Sequence, residues 1–538
     1  MAVKKVYPPE VKAVIADDDL TQEQLIKGLR SEFWRLNNLY LVMPEEGPPV
    51  KFHLTVVQYI LYMAMHWSNV VLKSRQHGIT TFVAILFLDR CLFNSNMRAG
   101  IVAHKKDDAK RIFRDKVKYA YSRLPEVLRD RIPTDKNDGG EILFANNSSI
   151  YVSTSMRSGT LQLLHVSEYG YMCAHYKQRA AEVKSGAMET IHEGGITFVE
   201  STTEEVGDDW QDMCEEAEKL AKDGTKLTYL DSKFFFFAWF DKPENQVFDA
   251  PWIQIPKDML LYFAKLEMKL GRKITRPYRI WYFLKKKKLR MKMYKEHPST
   301  PGEAFMAALD GAYYGTLMVK AVEEDRIGFF PHDPTHAVIT AGDYGDMNTG
   351  IWFIQIIGGE IRIIDYYEDN EGAGVDGYAK MFHSKPYVYS EHLGGPDMAD
   401  DGSNSKSMQA TKTVLDQFSE LGIDITPVER HTIENRHEAV RSVLPVCTFH
   451  KPKTGHGVKR LCNYHKEKND LKSTEETIVF RNSPAHDINS HGADGFGHFS
   501  IQYRHYKVAN RRTGNIKQRK KVKARKSDRG VVNMLEID

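Results

Sequence analysis

The stretch Val71-Leu72-Lys73-Ser74-Arg75-Gln76-His77-Gly78-Ile79-Thr80-Thr81 runs from a short apolar strand through a polar loop into the start of a helix. A nucleoside triphosphate requires inward-pointing backbone N–H groups, a helix N-terminus, one cation and a hydroxyl for Mg2+. Gly78 permits close approach of the backbone, Thr80 or Thr81 supplies the hydroxyl, and Lys73 or Arg75 supplies the charge. The usual spacing of such a loop puts lysine at position 79, where isoleucine stands, so a plain strand–loop–helix junction is the competing reading.

Working outward, two further strand ends carry chemistry. Leu163-Leu164-His165-Val166-Ser167-Glu168 delivers a carboxylate to the C-terminal edge of an apolar strand, where open parallel sheets hold ligands and a glutamate can orient an attacking water. Ser167 occupies the place of the usual metal-binding aspartate. The strand Ile196–Glu200 ends in Ser201-Thr202-Thr203, a hydroxyl cluster suited to sensing a γ-phosphate. Around these, strands at Asn69–Leu72, Ala99–Val102, Leu163–Val166 and Gly195–Glu200 alternate with amphipathic helices starting near Thr80 and Lys106. That alternation predicts a mostly parallel, helix-covered sheet.

A second block begins at His336. Ala337–Gly342, Ile351–Ile357 and Ile361–Tyr367 read as successive strands, the last two joined by the hairpin dipeptide Gly358-Gly359, and Lys406–Leu421 reads as a helix. Three sequential antiparallel strands followed by helix-bearing segments give the order of an RNase H-like α/β domain. Asp343, Asp397 and Asp494 fall at element ends, and hydrolysis of a phosphodiester by two metals about 4 Å apart requires converging carboxylates. Asp346 is a fourth candidate, with Asp487 or His491 in support; Asp400 and Asp401 compete for the second position, and Asp487 with Asp494 for the third.

The 538 residues exceed what one core serves, and 42% hydrophobic with 27% charged residues excludes wholesale disorder. The formal net charge of +4 argues for no particular partner, but basic residues collect at Lys285–Lys288 and between Arg504 and Arg529, as polyanion contacts or as solvated faces. Five scattered cysteines without a C-x-x-C pair indicate neither a disulfide framework nor a zinc cage and fit a reducing cytosol. No apolar run approaches a membrane span, and Met1-Ala2-Val3-Lys4-Lys5 opens no signal core, so neither export nor anchoring is expected. No G-x-S-x-G elbow is present, and the scattered histidines lack cysteine partners for zinc.

From about Phe52 to Ser500 the chain resembles the large subunit of tailed-phage terminases. The residues carrying this are the loop Lys73–Thr81, Val166-Ser167-Glu168-Tyr169, Ser201-Thr202-Thr203, Glu296-His297-Pro298-Ser299-Thr300-Pro301-Gly302-Glu303-Ala304-Phe305, and Ser490-His491-Gly492-Ala493-Asp494. In this family a loop that begins with lysine and lacks the later one is a known variation. The resemblance implies an additional-strand P-loop ATPase domain (51–240) and an RNase H-like nuclease domain (331–503), with a helical arm (1–50), a connector or lid (241–330) and a basic C-terminal tail (504–538). It implies that Gln58 reads the adenine edge, Lys73 neutralises the β- and γ-phosphates, Arg75 is a cis arginine finger, Glu168 is the catalytic carboxylate and Thr202 couples hydrolysis to DNA movement. ATP with Mg2+, and two Mg2+ or Mn2+ at the nuclease, are the implied cofactors. Implied partners are double-stranded DNA, the portal protein of a procapsid, a small terminase subunit and further copies in a ring on the portal, with no membrane, in the host cytoplasm and not in the mature virion. A helicase-nuclease of DNA repair and a non-catalytic DNA-binding scaffold are the rival readings.

Overall fold

The computed structural model describes residues 22–44, 47–156, 160–205, 208–290, 292–305, 311–345, 348–399, 413–469, 472 and 479–513. The chain forms two units, residues 1–330 with 448–493, and residues 331–447 with 494–538.

The first unit is built on strands β1 (Ser68–Lys73), β2 (Arg98–Val102), β3 (Thr134–Asp138), β4 (Glu141–Phe144), β5 (Ser149–Ser153), β6 (Leu161–Ser167), β7 (Ile191–Ser201) and β8 (Ser232–Phe237). They lie in the order β8-β1-β7-β6-β2-β5-β4-β3. All pairs from β8 to β5 are parallel. Because β7 follows β6 in the chain yet lies between β6 and β1, the sheet has the extra central strand of additional-strand P-loop folds. Val70, Val71 and Leu72 are fully buried, as a parallel strand covered on both faces requires. The antiparallel pairings of β3 with β4 and of β4 with β5 have no counterpart among the expected strands; β3 and β4 turn through Gly139-Gly140, whose φ values of 60° and 90° favour glycine.

Helix α1 (Val56–Ala64) starts with Thr55 and Gln58 capping each other, and helix α2 (Ile79–Phe93) starts at Gly78, whose φ of 70° is left-handed. α2 is apolar nearly all round because it lies in the core, and Asp89 is the one charged residue among its buried side chains. Asp89, fully buried, accepts from Arg35 Nε at 2.9 Å and Nη2 at 2.7 Å, and from Tyr40 Oη at 2.7 Å. The expected helical arm contains two helices, Gln22–Leu29 and Glu32–Asn38, the second starting where the Ser31 hydroxyl accepts from the Trp34 N–H.

The segment after β8, expected as a loose connector, carries the helices Lys257–Leu270 and Arg276–Leu289 around its own aromatic core of Trp239, Phe263 and Tyr282. Lys285–Lys288 form the last turns of the second helix, where Lys286 donates to Tyr294 Oη at 2.6 Å.

The second unit holds β9 (Val338–Tyr344), β10 (Thr349–Ile357), β11 (Glu360–Asp369), β12 (Tyr389–Gly394) and β13 (Ile425–Pro427) in the order β11-β10-β9-β12-β13. The first three are antiparallel, while β12 and β13 run parallel to β9. This is the RNase H-like strand order. Gly358 and Gly359, at φ 57° and 93°, make the expected hairpin. Only Val414–Glu420 of the expected 406–421 helix is described, starting at Thr413, with 400–412 outside the described residues. Asp494, expected ahead of a helix, lies within the helix Ile488–Thr513. Of the basic tail, residues 514–538 lie outside the described residues. Among the described residues no helix is long and apolar enough to cross a membrane, and all five cysteines are buried free thiols.

Candidate functional site

Strand β1 ends on Lys73, buried to 5% exposure, and its loop turns back into α2 through Gln76 and Gly78, both with positive φ. Ser74 Oγ and His77 Nε2 lie 2.9 Å apart, and burial lowers the imidazole of His77 to about 3, so it is neutral at physiological pH. The Lys73 ammonium donates to Glu168 Oε1 at 3.0 Å and pairs with Glu200 Oε2 at 3.0 Å. Burial opposes its charge, but the two carboxylates outweigh burial and hold it protonated well above its ordinary range.

Glu168 stands at the junction of β6 and helix α3 (Tyr169–His175) with left-handed backbone, φ 56°, uncommon for a residue with a β-carbon. Its Oε2 accepts from Ser201 Oγ at 3.3 Å. Thr202 is buried just beyond β7, and its carbonyl oxygen packs where a β-carbon on Gly170 would come within 2.7 Å. The catalytic-carboxylate candidate and the coupling candidate therefore share one packed corner.

Sequence reasoning named no role for Glu200. It lies on β7 directly beside Ser167 on β6 and is fully buried. Its Oε1 accepts from Thr80 Oγ1 at 2.9 Å and from Ser167 Oγ at 2.9 Å, and Thr80 and Ser167 lie 3.4 Å apart. Burial works against the charge of Glu200, but Lys73 overrides it and holds the carboxyl well below its usual range. His165, also fully buried, stands behind Oε1 at 3.4 Å. Two hydroxyls and a carboxylate converging at a helix start are hard oxygen donors of the kind Mg2+ takes. Thr81 points elsewhere, accepting from Lys116 Nζ at 2.5 Å. Thr80 is therefore the loop hydroxyl on the Lys73 side.

Arg75 is about half exposed and ion-paired with Glu296, while its backbone N–H donates to Glu296 O at 3.0 Å. The segment containing Glu296 is fixed by Glu303, which accepts from Tyr262 Oη and from the Ser299 N–H, both at 2.7 Å. Gln58 is buried; its Oε1 accepts from the Thr55 N–H at 3.0 Å and its Nε2 donates to Gly78 O at 2.9 Å. It lines a cleft of about 150 Å³ with His77, Gly78, Lys242 and Pro243, open beside the loop.

In the second unit, Asp343 lies near the end of β9, and Asp397 follows β12, the strand parallel to β9. The helix carrying Asp494 meets the sheet at Gly495, where a β-carbon would sit 2.7 Å from Gly350 O and 3.2 Å from the Asp343 nitrogen. Asp494 pairs with Arg436 at 2.7 Å. A β-carbon on Gly395 would meet Asp397 Oδ1 at 2.3 Å and His498 Nε2 at 3.3 Å, so His498, one turn beyond Asp494, reaches the same edge. Burial, reinforced by Arg436, lowers His498 to about 3. Among the described residues no three His, Cys, Asp or Glu side chains form a group able to hold a metal ion. Asp346, Asp400 and Asp401 lie outside the described residues, and Asp487 is engaged by Asn489, its Oδ1 accepting from the Asn489 N–H at 2.9 Å.

The strand orders define the class: an additional-strand P-loop ATPase fold in the first unit and an RNase H-like nuclease fold in the second. The chain is similar to solved structures of phage large terminases. The HK97 bacteriophage large terminase is 9% identical, over 88% of this chain and 98% of that one, with TM-score 0.38. The Thermus phage P74-26 large terminase ATPase domain is 16% identical, over 46% of this chain and 94% of that one, with TM-score 0.30. The large terminase nuclease from thermophilic phage G20c is 13% identical, over 36% of this chain and 98% of that one, with TM-score 0.24. No protein-family model matches the chain, and no curated protein does.

Proposed function

We propose that this chain is a terminase large subunit, an ATP-driven motor that packages double-stranded viral DNA into a procapsid and a metal-dependent endonuclease that cuts concatemeric DNA. The observation carrying this reading is the buried Lys73 at the end of β1, held at 3.0 Å by both Glu168 and Glu200, in a chain that continues into an RNase H-like sheet with aspartates at its element ends.

The loop backbone and Lys73 bind the phosphates of ATP, and the cleft beside Gln58 accepts the base. The Gln58 amide is committed to Thr55 and Gly78, so its role is to shape the cleft and hold the loop. Glu168, released from Lys73 when phosphate takes the ammonium, orients the attacking water. Arg75 leaves Glu296 to meet the charge developing on the γ-phosphate. Thr202, packed against the helix that follows Glu168, passes the change at the carboxylate to the DNA-moving parts. In the second unit Asp343, Asp397 and Asp494 are the residues that would hold the metals of the nuclease, and Asp494 is paired with Arg436. Divalent metals, when bound, supply Lewis acidity and an activated water for phosphodiester cleavage.

A translocating motor must accept every sequence, so phosphate contacts dominate DNA affinity, which falls steeply with salt. The portal protein, a small terminase subunit and further copies of the chain in a ring are the proposed partners, in the cytoplasm of the infected host.

Glu168→Ala tests the division of labour. It should abolish DNA-stimulated ATP hydrolysis and leave nuclease activity, whereas Asp343→Ala should stop DNA cutting and spare ATP turnover. Equal loss of both activities in either variant contradicts the assignment.

A further inference from the structure

The nucleotide site lacks the aspartate that usually ends the strand two places from the phosphate loop. Ser167 stands there, and a hydroxyl alone is a poor partner for a divalent cation compared with a carboxylate. The register of the sheet compensates. Ser167 on β6 and Glu200 on β7 are direct partners in adjacent parallel strands, so a carboxylate anchored one strand closer to β1 can reach the place an aspartate would fill. Strands are about 4.8 Å apart. The Glu200 side chain reaches along the sheet edge, and its Oε1 stands 2.9 Å from both the Ser167 hydroxyl and the Thr80 hydroxyl.

Glu200 pairs with the Lys73 ammonium through Oε2 at 3.0 Å, which leaves Oε1 as the oxygen that faces the two hydroxyls. A negatively charged oxygen between the loop hydroxyl and the phosphate-binding lysine is what a divalent cation on the phosphates requires. His165, packed at 3.4 Å behind Oε1, is placed to fix the carboxylate's orientation.

We infer that Glu200 is the magnesium carboxylate of the nucleotide site, acting with Thr80 in place of the aspartate displaced by Ser167. This rests on the nucleotide-binding reading above and assigns the metal side of that same site to a strand other than the usual one.

The test uses the full-length protein with ADP and either Mg2+ or excess EDTA in calorimetric titrations, and Mn2+ affinity read by electron paramagnetic resonance in the presence of ADP. The wild-type chain should bind ADP more tightly with metal than in EDTA. Glu200→Gln should weaken Mn2+ binding by at least about 10-fold, since loss of an outer-shell partner of a ligand alone costs that much, while still binding ADP in EDTA, which shows that the site is folded. In the Glu200→Gln background, Ser167→Asp should recover most of the lost Mn2+ affinity by returning a carboxylate beside Thr80. Unchanged Mn2+ affinity in Glu200→Gln overturns the assignment, as does a double variant that binds ADP in EDTA yet regains no metal. A wild-type chain that binds ADP in neither buffer overturns the nucleotide reading, and the Glu200 assignment falls with it.

Discussion

Replacing Lys73 with methionine keeps the length and apolar stem of the side chain and removes one charge from between two carboxylates. Lys73 and Glu200 have side chains 7% and 0% exposed, so the pair is screened little by solvent, whereas Glu168, at 30%, can turn outward. Removing one member of a buried ion pair costs about 3–5 kcal/mol, because the partner charge remains desolvated. At roughly 2–4 °C per kcal/mol for mid-sized domains, the thermal midpoint of the first unit should fall by on the order of 10 °C. Adding Glu200→Gln removes the stranded charge and should restore at least half of that loss, giving a large coupling in a double-mutant cycle read by scanning calorimetry at pH 8. The pH dependence has a definite sign. In the wild type the Glu200 carboxyl is held below its ordinary value, so its contribution is present above the usual carboxylate range and is lost only as pH falls through the depressed value. Without Lys73 burial acts unopposed and favours the protonated acid, so the gap between variant and wild type should narrow between pH 8 and pH 5. A Lys73→Met protein melting within about 2 °C of wild type at pH 8, or a double variant no more stable than the single one, refutes the reasoning.

Two further expectations concern other parts of the chain. Burial keeps His77 and His498 near 3 against an ordinary value of about 6.5; a lowered folded value means stability that is present above the ordinary value and lost as pH falls. Each should cost about 1.4 kcal/mol at pH 5.5 relative to neutral pH, so His77→Gln and His498→Gln should flatten the fall of the urea midpoint between pH 7.5 and 5.5, and an unchanged slope contradicts this. Gly495→Ala places a β-carbon 2.7 Å from Gly350 O, with backbone rather than a mobile side chain opposing it. It should cost about 1–3 kcal/mol and, on the proposed nuclease assignment, suppress DNA cleavage by moving Asp494 away from β9, and full cleavage would show that the helix has room.

Much of the sheet was legible because apolar runs bounded by glycine and polar loops mark buried strands whatever their neighbours. The hairpin at Gly358-Gly359 was legible for the same local reason, since few other residues accept positive φ at consecutive positions. Glu200 was not legible as part of the site. Its reach depends on β7 lying between β1 and β6, and chain order alone does not place a late strand in the middle. The ion pair of Arg75 with Glu296 joins residues far apart in the sequence, and no periodicity links them. The N-terminal arm shows the opposite limit: its helical character was legible, but not the Ser31 hydroxyl that starts a second helix or the bond of Arg35 to Asp89 far along the chain.

The phosphate loop is stitched to its surroundings by main-chain bonds rather than by side chains alone. The Ser74 N–H donates to Phe237 O at 2.8 Å and the Arg75 N–H to Glu296 O at 3.0 Å, while the Trp239 indole reaches Ser299 Oγ at 2.9 Å. Substitution cannot delete those amide links short of proline. A loop tied in this way shares its main-chain anchors with the end of β8 and with residues 296–299, and through Ser299 with the aromatic module built on Trp239, which contains the four consecutive lysines.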